Sequence, residues 1–564
     1  MCGIAGFCNF KEDFEENTDY WNFRLEKMRA VLAHRGNDAR GRYLKKHIGL
    51  SHSRLAIRDI LCGDQPMTRT HNGYEYTICY NGEIYNTDEL IPELSENGFV
   101  CSTTSDTEVI LYAYIHWGAD FVNRLNGIFA FAIWDAAKSR LLLYRDRVGV
   151  KPLFYAIRGD SLVFGSEPKA CFAHPAVKPE LDKQGLQELL AIGPAHTSGL
   201  SLFKDLFEVL PGHFMIYSQD GLHDETYWEL TSQEHTESYR DTVAHTRFLV
   251  EDAIKRQMVS DVPVCTFLSG GIDSSIVTAI AANYMNTRGK TLNTFSFDFK
   301  DNDRYFKANA FQPERDLPYV NRMLEEYETA HSYLECDENS LFKALFAAVD
   351  AKDMPGMTDV DSSLLYFCSL VSQKNKVALT GECADEIFGG YPWFYRKELL
   401  ERYGFPWSSD VAPRLALLRD DVGLELDLSG YQAFRYEESR SKAPLLYGEA
   451  GEDESRRIIG YLNIKWFMQT LLDRMDRTSM YSELEARVPF ADHRIIEYVF
   501  NVPWHMKYQN GVEKTLLRDA FSDVLPPELL HRKKSPYPKQ CHLDKDCFIV
   551  RNSYTADKHF VYLL

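Results

Sequence analysis

The sequence predicts a mixed α/β protein of two domains, an N-terminal α+β layered domain and a C-terminal doubly wound parallel α/β domain with helical additions. In the first third, short apolar runs are bounded by Gly, Asn and Asp, a pattern typical of strands joined by turns. Beyond about residue 241, strand-like and helical segments alternate, which favours a parallel sheet. At 564 residues, the chain also exceeds what one hydrophobic core usually serves.

A polar stretch, ELTSQEHTESYR at residues 229–240, separates these two patterns and is typical of a linker. We therefore expect one domain over residues 1–215, a linker over 216–240 and a second domain over 241–564. Before the linker, the patterns predict strands at 3–7, 76–80, 128–134, 141–144 and 161–164, with helices at 25–32 and 107–117. After it, they predict strands at 262–268, 292–299 and 377–380, helices at 242–258 and 276–285, and a mainly helical region from about 431.

The composition narrows the classes of partner and compartment. Apolar residues make up 45% of the chain and the formal net charge is −19. So acidic a surface argues against nucleic acid or an anionic membrane as the main partner. No apolar stretch approaches the roughly 20 residues that cross a bilayer, and no signal sequence is recognisable, so we expect a cytoplasmic protein. The 12 cysteines include no CxxC pair and no zinc-ligand spacing.

Cys2 is the one cysteine whose position suggests chemistry. Removal of Met1 would give Cys2 a free α-amino group with a reference pKa of about 7.7–8.0, and that amine could act as the base for its own thiol. A thiolate made in this way can attack a side-chain amide, form a thioester and release ammonia. Taken alone, Cys2 is more simply interpreted as an ordinary second residue.

Several polar residues that such a reaction needs occur further along the first domain. Asn81 and Gly82 follow a predicted strand and offer hydrogen-bond donors for an oxyanion. Arg54 offers a planar guanidinium for the α-carboxylate of an amino acid, and Glu83 and Asp106 offer carboxylates for its α-ammonium group. Each residue alone is a weak indication, because Asn-Gly is a common turn and an arginine is usually a surface residue.

Together and in this order, these segments resemble the class II glutamine amidotransferase domain, an αββα N-terminal nucleophile fold, from Cys2 to about Ala170. The resemblance also rests on His34-Arg35-Gly36, Ser105-Asp106, Arg145-Asp146 and the run from Gly149 to Leu153. Asn37 departs from it, because a proline usually follows Arg-Gly. The resemblance implies Cys2 as the nucleophile, Asn81 and Gly82 as the oxyanion hole, and as glutamine ligands Arg54, Ile57, Arg58, Asn81, Gly82, Glu83 and Asp106.

The second domain opens with a candidate phosphate-binding loop. The predicted strand at 262–268 runs into Ser269-Gly270-Gly271-Ile272-Asp273-Ser274-Ser275 and then a helix. Adjacent glycines and a helix N-terminus let backbone N–H groups approach an anion, and the serine hydroxyls add donors. A Walker A ending is absent, and the loop resembles that of ATP pyrophosphatases, which implies AMP and pyrophosphate as products. The plainer interpretation is a Gly-Gly turn with a serine N-cap.

An acidic cluster follows the predicted strand at 377–380. Glu382, Asp385 and Glu386 would repel one another unless a cation offsets them, so we assign Asp385, with Asp273, to Mg²⁺. Glu382 is then a candidate for the carboxylate substrate or for acid–base chemistry. A solvated acidic helix start is the alternative. Lys514 is a candidate for stabilising charge on the reacting phosphate only by resemblance, since a lone lysine is usually a surface residue.

In this order, the two halves resemble the glutamine-hydrolysing asparagine synthetase family over nearly the whole chain. The resemblance implies glutamine, aspartate and ATP as substrates, Mg²⁺ as cofactor, and ammonia displacing AMP from an aspartyl adenylate. It adds Leu268, Phe297, Thr380 and Gly381 as nucleotide contacts. The same machinery acting on another carboxylate, or a non-catalytic paralogue that senses glutamine or ATP, are the alternatives. A homodimer is common among such relatives, but nothing in the sequence requires one.

Overall fold

The computed structural model describes residues 2–306, 314–408, 410–416 and 418–534. The end of the predicted second domain, 535–564, therefore lies outside the described residues. In the described part, no helix is long and apolar enough to cross a membrane.

The N-terminal half (residues 2–226) contains two six-stranded antiparallel sheets, ordered β10-β8-β9-β1-β3-β2 and β12-β11-β7-β6-β5-β4. Its strands are β1 Gly3–Asn9, β2 Ala39–Lys45, β3 Ile48–Arg54, β4 Met67–His71, β5 Tyr74–Ile84, β6 Gly127–Asp135, β7 Arg140–Arg145, β8 Phe154–Arg158, β9 Ser161–Gly165, β10 Phe207–Glu208, β11 His213–Ser218 and β12 Gly221–Thr226. Its α-helices are α1 Thr18–Ala30, α2 Thr87–Glu96, α3 Asp106–Trp117, α4 Pro168–Phe172 and α5 Lys183–Gln187.

These sheets and helices form four layers. Ile4 and Leu50 of one sheet pack with Ala130 and Leu143 of the other, so alternate residues of both sheets meet in a central core. Helix α1 covers the outer face of the first sheet, and α2 and α3 cover the second. The predicted αββα arrangement is confirmed.

The second sheet extends past the predicted domain boundary at 215. That position falls inside β11, which pairs with β7, and β12 then pairs with β11. Because both strands share one sheet with the N-terminal half, we propose that the first domain ends at Thr226. The linker then runs over 227–238.

The C-terminal half (residues 239–534) is built on a five-stranded parallel sheet in the order β15-β14-β13-β16-β17. Its strands are β13 Val264–Phe267, β14 Leu292–Phe299, β15 Thr329–Cys336, β16 Val377–Leu379 and β17 Glu485–Arg487. The early helices are α6 Tyr239–Arg256, α7 Ile272–Asn286, α8 Asn302–Tyr305, α9 Leu317–Glu326, α10 Glu338–Lys352, α11 Thr358–Val371 and α12 Ala384–Phe388. The later ones are α13 Lys397–Leu400, α14 Ala412–Leu415, α15 Asp420–Leu426, α16 Leu428–Arg440, α17 Glu452–Leu462, α18 Gln469–Met480, α19 His493–Asn501, α20 Trp504–Lys507, α21 Thr515–Ala520 and α22 Pro527–Leu530. The predicted parallel sheet with helical additions is confirmed.

The longest helical stretch carries a π-helical segment. Asn463–Met468 joins α17 to α18, so the chain is helical from Glu452 to Met480. A π segment in a long helix frequently marks a functional region. Here it brings the Asn463 side-chain amide within 3.1 Å of the carbonyl oxygen of Glu386, in the acidic cluster.

Buried ion pairs join the two halves. Asp476, on α18, accepts hydrogen bonds from Arg35 and Lys151 of the N-terminal half, each at 2.9 Å. Arg477 lies 3.5 Å from Glu167 of the N-terminal half and 2.9 Å from Asp353 of its own. Despite burial, Arg35 and Lys151 lower the pKa of Asp476. The interface therefore contains fully desolvated charges that depend on one another.

We predict that Asp476→Ala destabilises the protein by about 3–5 kcal/mol, because it leaves the Lys151 ammonium buried without its carboxylate. The loss would be read from the urea midpoint of unfolding. The matched control is Asp160→Ala, which removes an exposed ion pair with Lys11 and costs about 0–1 kcal/mol. Equal midpoints for the two variants would contradict the structural role of Asp476.

Candidate active sites

Cys2 immediately precedes β1 and is buried beneath β5. Its backbone N–H donates to the Asn81 side-chain oxygen at 2.9 Å, and its thiol lies 4.0 Å from the carbonyl oxygen of Leu55. Burial raises the pKa of the Cys2 thiol. The unassisted thiol is therefore a poor source of thiolate, and a neighbouring base is needed for nucleophilic attack.

Asn81 and Gly82 stand beside Cys2 because β5 passes directly over the start of β1. The Asn81 side-chain nitrogen is buried, and no hydrogen-bond partner is found for it in the described part of the chain. Gly82 has φ +155°, and a Cβ there would lie 2.2 Å from the carbonyl oxygen of Ile128. Position 82 therefore requires glycine, and the Asn81 amide beside it is a free hydrogen-bond donor. An oxyanion hole needs a donor of this kind.

A small pocket opens at Cys2 and contains most of the predicted glutamine ligands. Arg54 lines this pocket, but its guanidinium also donates to Asp64 at 2.8 Å and to the carbonyl oxygen of Asp59 at 2.6 Å. The loop after β3 therefore fixes the arginine at the pocket wall. The lining residues are Cys2, Arg54, Leu55, Ile57, Arg58, Gly63, Gln65, Tyr80, Gly82, Glu83, Ser105, Asp106 and Thr107.

The two candidate carboxylates of the pocket differ in their partners. Asp106 accepts hydrogen bonds from the Tyr80 hydroxyl at 2.9 Å and the Ile84 N–H at 3.0 Å. Glu83 Oε2 accepts no hydrogen bond from the described residues, and burial together with Asp106 raises the pKa of Glu83 to about 8. Arg58 lies 3.9 Å from Glu83 and 4.0 Å from Asp106. A buried carboxylate oxygen without a donor in this pocket suits an incoming ammonium group.

In the C-terminal half, the candidate phosphate loop joins β13 to α7. Leu268 donates its N–H to the carbonyl oxygen of Phe295 on β14, and Ser269 and Ser274 exchange a hydroxyl hydrogen bond at 3.0 Å. Gly270 takes φ +69°, where a Cβ would lie 2.7 Å from the Tyr319 side chain. The loop precedes the first turn of α7, so its backbone donors and the helix N-terminus face the same space. Gly271 and Ser275 complete the loop, and Phe297 lies on the neighbouring strand β14.

The two candidate metal ligands meet at Lys514. The Lys514 ammonium lies 2.8 Å from Asp273 and 2.8 Å from Asp385, and Lys534 also pairs with Asp385. Burial alone would lower the pKa of Lys514. The neighbouring carboxylates of Asp273 and Asp385 outweigh burial and raise it. Two carboxylates beside a phosphate loop match what Mg²⁺ uses in nucleotide sites, where phosphate oxygens and water complete its shell. No cluster of three or more metal-ligating side chains is found in the described ranges, so the rest of the shell would have to come from phosphate and water.

Glu382 lies at the same edge of the sheet, two residues beyond Thr380. Its carboxylate accepts a hydrogen bond from Arg474 at 2.9 Å, and its N–H donates to the Thr380 hydroxyl at 3.4 Å. Gly381 packs against the loop, since a Cβ there would lie 2.7 Å from the Ser274 nitrogen. The structure thus brings Glu382, Thr380 and Gly381 together with Asp273, Asp385 and Lys514.

Comparison with known proteins matches both halves to family models. Residues 245–547 match the asparagine synthase family and residues 1–228 match the glutamine amidotransferase domain. Asparagine synthetase [glutamine-hydrolyzing] 3 of Bacillus subtilis is 49% identical over 96% of this chain and 88% of its own length. The chain belongs to the glutamine-hydrolysing asparagine synthetase family. It is therefore a ligase, as the sequence predicted.

The more distant relatives of this chain include one named a synthetase and one named an amidase. Asparagine synthetase [glutamine-hydrolyzing] 1 of the same organism is 29% identical over 95% of this chain and 87% of its own length. The amidase chyE of Penicillium rubens is also 29% identical, over 95% of this chain and 88% of its own length. Resemblance at this level does not fix the acceptor carboxylate.

The sequence predicted no role for four residues of the candidate synthetase site, namely Arg474, Lys534, Arg532 and Asp316. Arg474 pairs with Glu382, Lys534 with Asp385, and Arg532 with Asp316 and, at 3.3 Å, the Ser269 carbonyl oxygen. Arg532 and Lys534 belong to the basic run Arg532-Lys533-Lys534, but the position of that run beside the loop depends on the tertiary fold. Arg474 carries no sequence signal, because it stands within an ordinary amphipathic helix.

We predict that Gly381→Ala raises the KM for ATP roughly tenfold or more, about 1.4 kcal/mol of binding free energy, because the new Cβ pushes the phosphate loop aside. Glutamine hydrolysis should stay near the wild-type rate. Steady-state kinetics at varied ATP measures the effect. Gly423→Ala is the matched control, since its Cβ meets only Leu415 at 3.6 Å. An unchanged KM in Gly381→Ala would argue against the proposed nucleotide site.

Proposed function

We propose that the protein makes asparagine from aspartate, with glutamine as nitrogen donor and ATP cleaved to AMP and pyrophosphate. The observation that carries this proposal is the pairing of two sites in one body. Cys2 lies beside the free amide donor of Asn81, and the phosphate loop lies beside Asp273, Asp385 and Lys514. Kinship with the 49% identical synthetase supports the same assignment.

The first reaction hydrolyses glutamine. After loss of Met1, the α-amine of Cys2 takes the thiol proton, and the sulfur attacks the glutamine side-chain carbonyl. Asn81 Nδ2 and the Gly82 N–H stabilise the oxyanion, and ammonia leaves as the thioester forms. Water then releases glutamate and restores the thiol. Arg54, Ile57, Arg58, Glu83 and Asp106 hold the amino acid, whose ammonium group pairs with the free oxygen of Glu83.

The second reaction activates aspartate. Its β-carboxylate attacks the α-phosphorus of ATP, pyrophosphate leaves, and β-aspartyl-AMP forms. Backbone donors of the loop at 269–275 and the Lys514 ammonium stabilise negative charge on the phosphates. Bound Mg²⁺, held by Asp273 and Asp385, would neutralise phosphate charge. Glu382, oriented by Arg474, is suited to hold the acceptor amino acid or to take a proton from ammonia.

Ammonia must then cross from one half to the other, where it attacks the acyl carbonyl and displaces AMP. One apolar core spans both halves, with Leu55, Ile128 and Val150 on one side and Val488 and Ala491 on the other. Such a boundary excludes bulk water and keeps ammonia unprotonated. We therefore propose that ammonia passes through the interface.

The same chemistry acting on another carboxylate remains the second candidate, and the fungal amidase relative supports it. A non-catalytic glutamine or ATP sensor is disfavoured, because the nucleophile, the oxyanion donors and the acidic pair are all present.

The acceptor assay uses protein whose loss of Met1 has been verified by mass. Incubated with glutamine, aspartate and Mg-ATP, it should form asparagine, glutamate, AMP and pyrophosphate in step. Glutamate without asparagine or AMP would contradict aspartate as the acceptor and lead to a screen of other carboxylates.

We further predict that Cys2→Ala lowers glutamine-dependent synthesis by more than roughly 10³-fold, because the nucleophile is gone. Synthesis from added ammonium chloride should persist, since the second site is untouched. Cys62→Ala is the control, because that thiol is exposed and lies outside both sites. Loss of ammonia-dependent synthesis in Cys2→Ala would contradict the division of labour between the halves.

A further inference from the structure

Arg487 belongs to the C-terminal half but reaches the glutamine pocket of the N-terminal half. It ends β17, the edge strand of the parallel sheet, and its side chain is fully buried. Along a strand, successive side chains point to opposite faces. Glu485 and Arg487 therefore share one face, while Ala486 packs into the core on the other.

The backbone of Arg487 is fixed to the nucleotide side of the molecule. Leu379 on β16 pairs with Arg487 in parallel register. The carbonyl oxygen of Arg487 also accepts the N–H of Thr380 at 3.0 Å. The position of Arg487 is thus tied to the strand end that leads into Gly381 and Glu382.

The guanidinium of Arg487 faces Glu83. Its Nη2 lies 3.6 Å from Glu83 Oε1. Neither this nitrogen nor Glu83 Oε2 has a hydrogen-bond partner within the described residues, and both atoms are buried. Glu83 therefore turns Oε1 toward Arg487, while its Oε2 lies 3.9 Å from Arg58 Nη1 in the pocket that both residues line.

A second set of contacts extends from Arg487 to the loop that carries Ile57 and Arg58. Arg487 Nη1 donates to the carbonyl oxygens of Gln257 at 2.6 Å and Val259 at 2.5 Å. Two residues on, the N–H of Asp261 donates to the carbonyl oxygen of Ile57 at 3.0 Å. One side chain from the C-terminal half therefore braces the glutamine pocket on two sides.

The charges around Glu83 explain why its contact with Arg487 affects the ionisation of the carboxylate. Burial, Asp106 and Glu485 raise the pKa of Glu83 to about 8, whereas Arg487 and Arg58 oppose that rise. A carboxylate that binds an ammonium group must be ionised, so an adjacent guanidinium favours the binding form. The charged and titratable groups that face Glu83 are Arg58, Tyr80, Tyr85, Asp106, Glu485 and Arg487.

We infer that Arg487 is a positioning residue for glutamine, supplied by the synthetase half, which orients Glu83 toward the α-ammonium group of the substrate. The inference rests on the proposed role of Glu83 as a glutamine ligand. The glutamine site is accordingly incomplete without the C-terminal half.

Steady-state glutamine hydrolysis by Arg487→Gln and Arg487→Lys tests this inference in the full-length protein. In Arg487→Gln we expect the KM for glutamine to rise roughly tenfold or more while kcat changes less than threefold, because truncating one partner of a buried charge pair weakens binding. Arg487→Lys should keep the positive charge but lose the planar guanidinium with its paired N–H donors. Its KM for glutamine should therefore rise by a smaller factor. Ammonia-dependent synthesis in each preparation reports whether the variant is folded.

The pH profile separates positioning from a merely structural role. We expect glutamine affinity of the Cys2→Ala protein, measured by calorimetry between pH 6 and 9, to rise with pH through a midpoint near 8 as Glu83 ionises. Removing the guanidinium raises the pKa of Glu83, so Arg487→Gln on this background should move the midpoint to higher pH. Arg487→Lys should leave the midpoint in place.

Arg477→Gln is the matched control, because Arg477 is an equally buried arginine at the interface whose carboxylate partners, Glu167 and Asp353, do not line the glutamine pocket. It should lower thermal stability without raising the KM for glutamine. A wild-type KM in a folded Arg487→Gln overturns the inference, and if that variant does not fold, a wild-type KM in Arg487→Lys does so. Absence of glutamine hydrolysis by the wild-type protein would instead overturn the proposed function itself.

Discussion

The guanidinium of Arg35 is the constraint on which the arrangement of both sites depends. It donates to the backbone carbonyl of Cys2 at 3.1 Å, to Glu167 at 2.9 Å and to Asp476 at 2.9 Å. The first contact holds the nucleophile, the second fixes the N-terminal half around it, and the third crosses to helix α18. Because all of these groups are buried, moving one leaves another charge without its partner. The geometry at Cys2 is therefore set by both halves together.

The synthetase site is held by a similar principle. There, buried lysines offset a cluster of carboxylates. Asp273, Asp385 and Glu386 cluster at the carboxyl ends of the parallel strands, and burial and Asp385 raise the pKa of Glu386 to about 7. Lys514 and Lys534 offset this charge and, against the effect of burial, lower the pKa of Asp385. The carboxyl edge of a parallel sheet is where such folds bind ligands, since loops from several strands converge there. Nucleotide phosphates would meet cations already in place.

Much of the fold could be predicted from periodicity, because each long element buries one face. Strand β14 coincides with its predicted range 292–299, β6 differs from its range by one residue at each end, and α3 begins one residue early. Strand β17 was missed, since Glu-Ala-Arg is polar at both ends. It is buried with its charges paired, because Arg487 pairs with Glu485 in the same strand and faces Glu83 of the N-terminal half. A boundary at Thr226, as we propose, was hard to predict because β12 is exposed and polar, with no apolar alternation to reveal it.

For the sites, motifs that lie within one segment could be read from the sequence, whereas contacts between segments could not. Cys2 with Asn81 and Asp273 with Asp385 are brought together as the spacing and resemblance suggested. The contact of Arg487 with Glu83 could not be predicted, because it spans about 400 positions and depends on how the halves dock. The C-terminal half thus places Arg487 beside the proposed glutamine site, and we expect the two halves to work as one enclosed unit.

The most direct measurement of that claim follows nitrogen from one site to the other. Glutamine labelled with ¹⁵N in its side-chain amide is supplied with aspartate, Mg-ATP and an excess of unlabelled ammonium, and the asparagine formed is analysed by mass spectrometry. Asparagine that keeps most of the label would show that ammonia crosses inside the interface. Label diluted to the level of the bulk ammonium pool would contradict the account, because the two sites would then exchange ammonia through solvent.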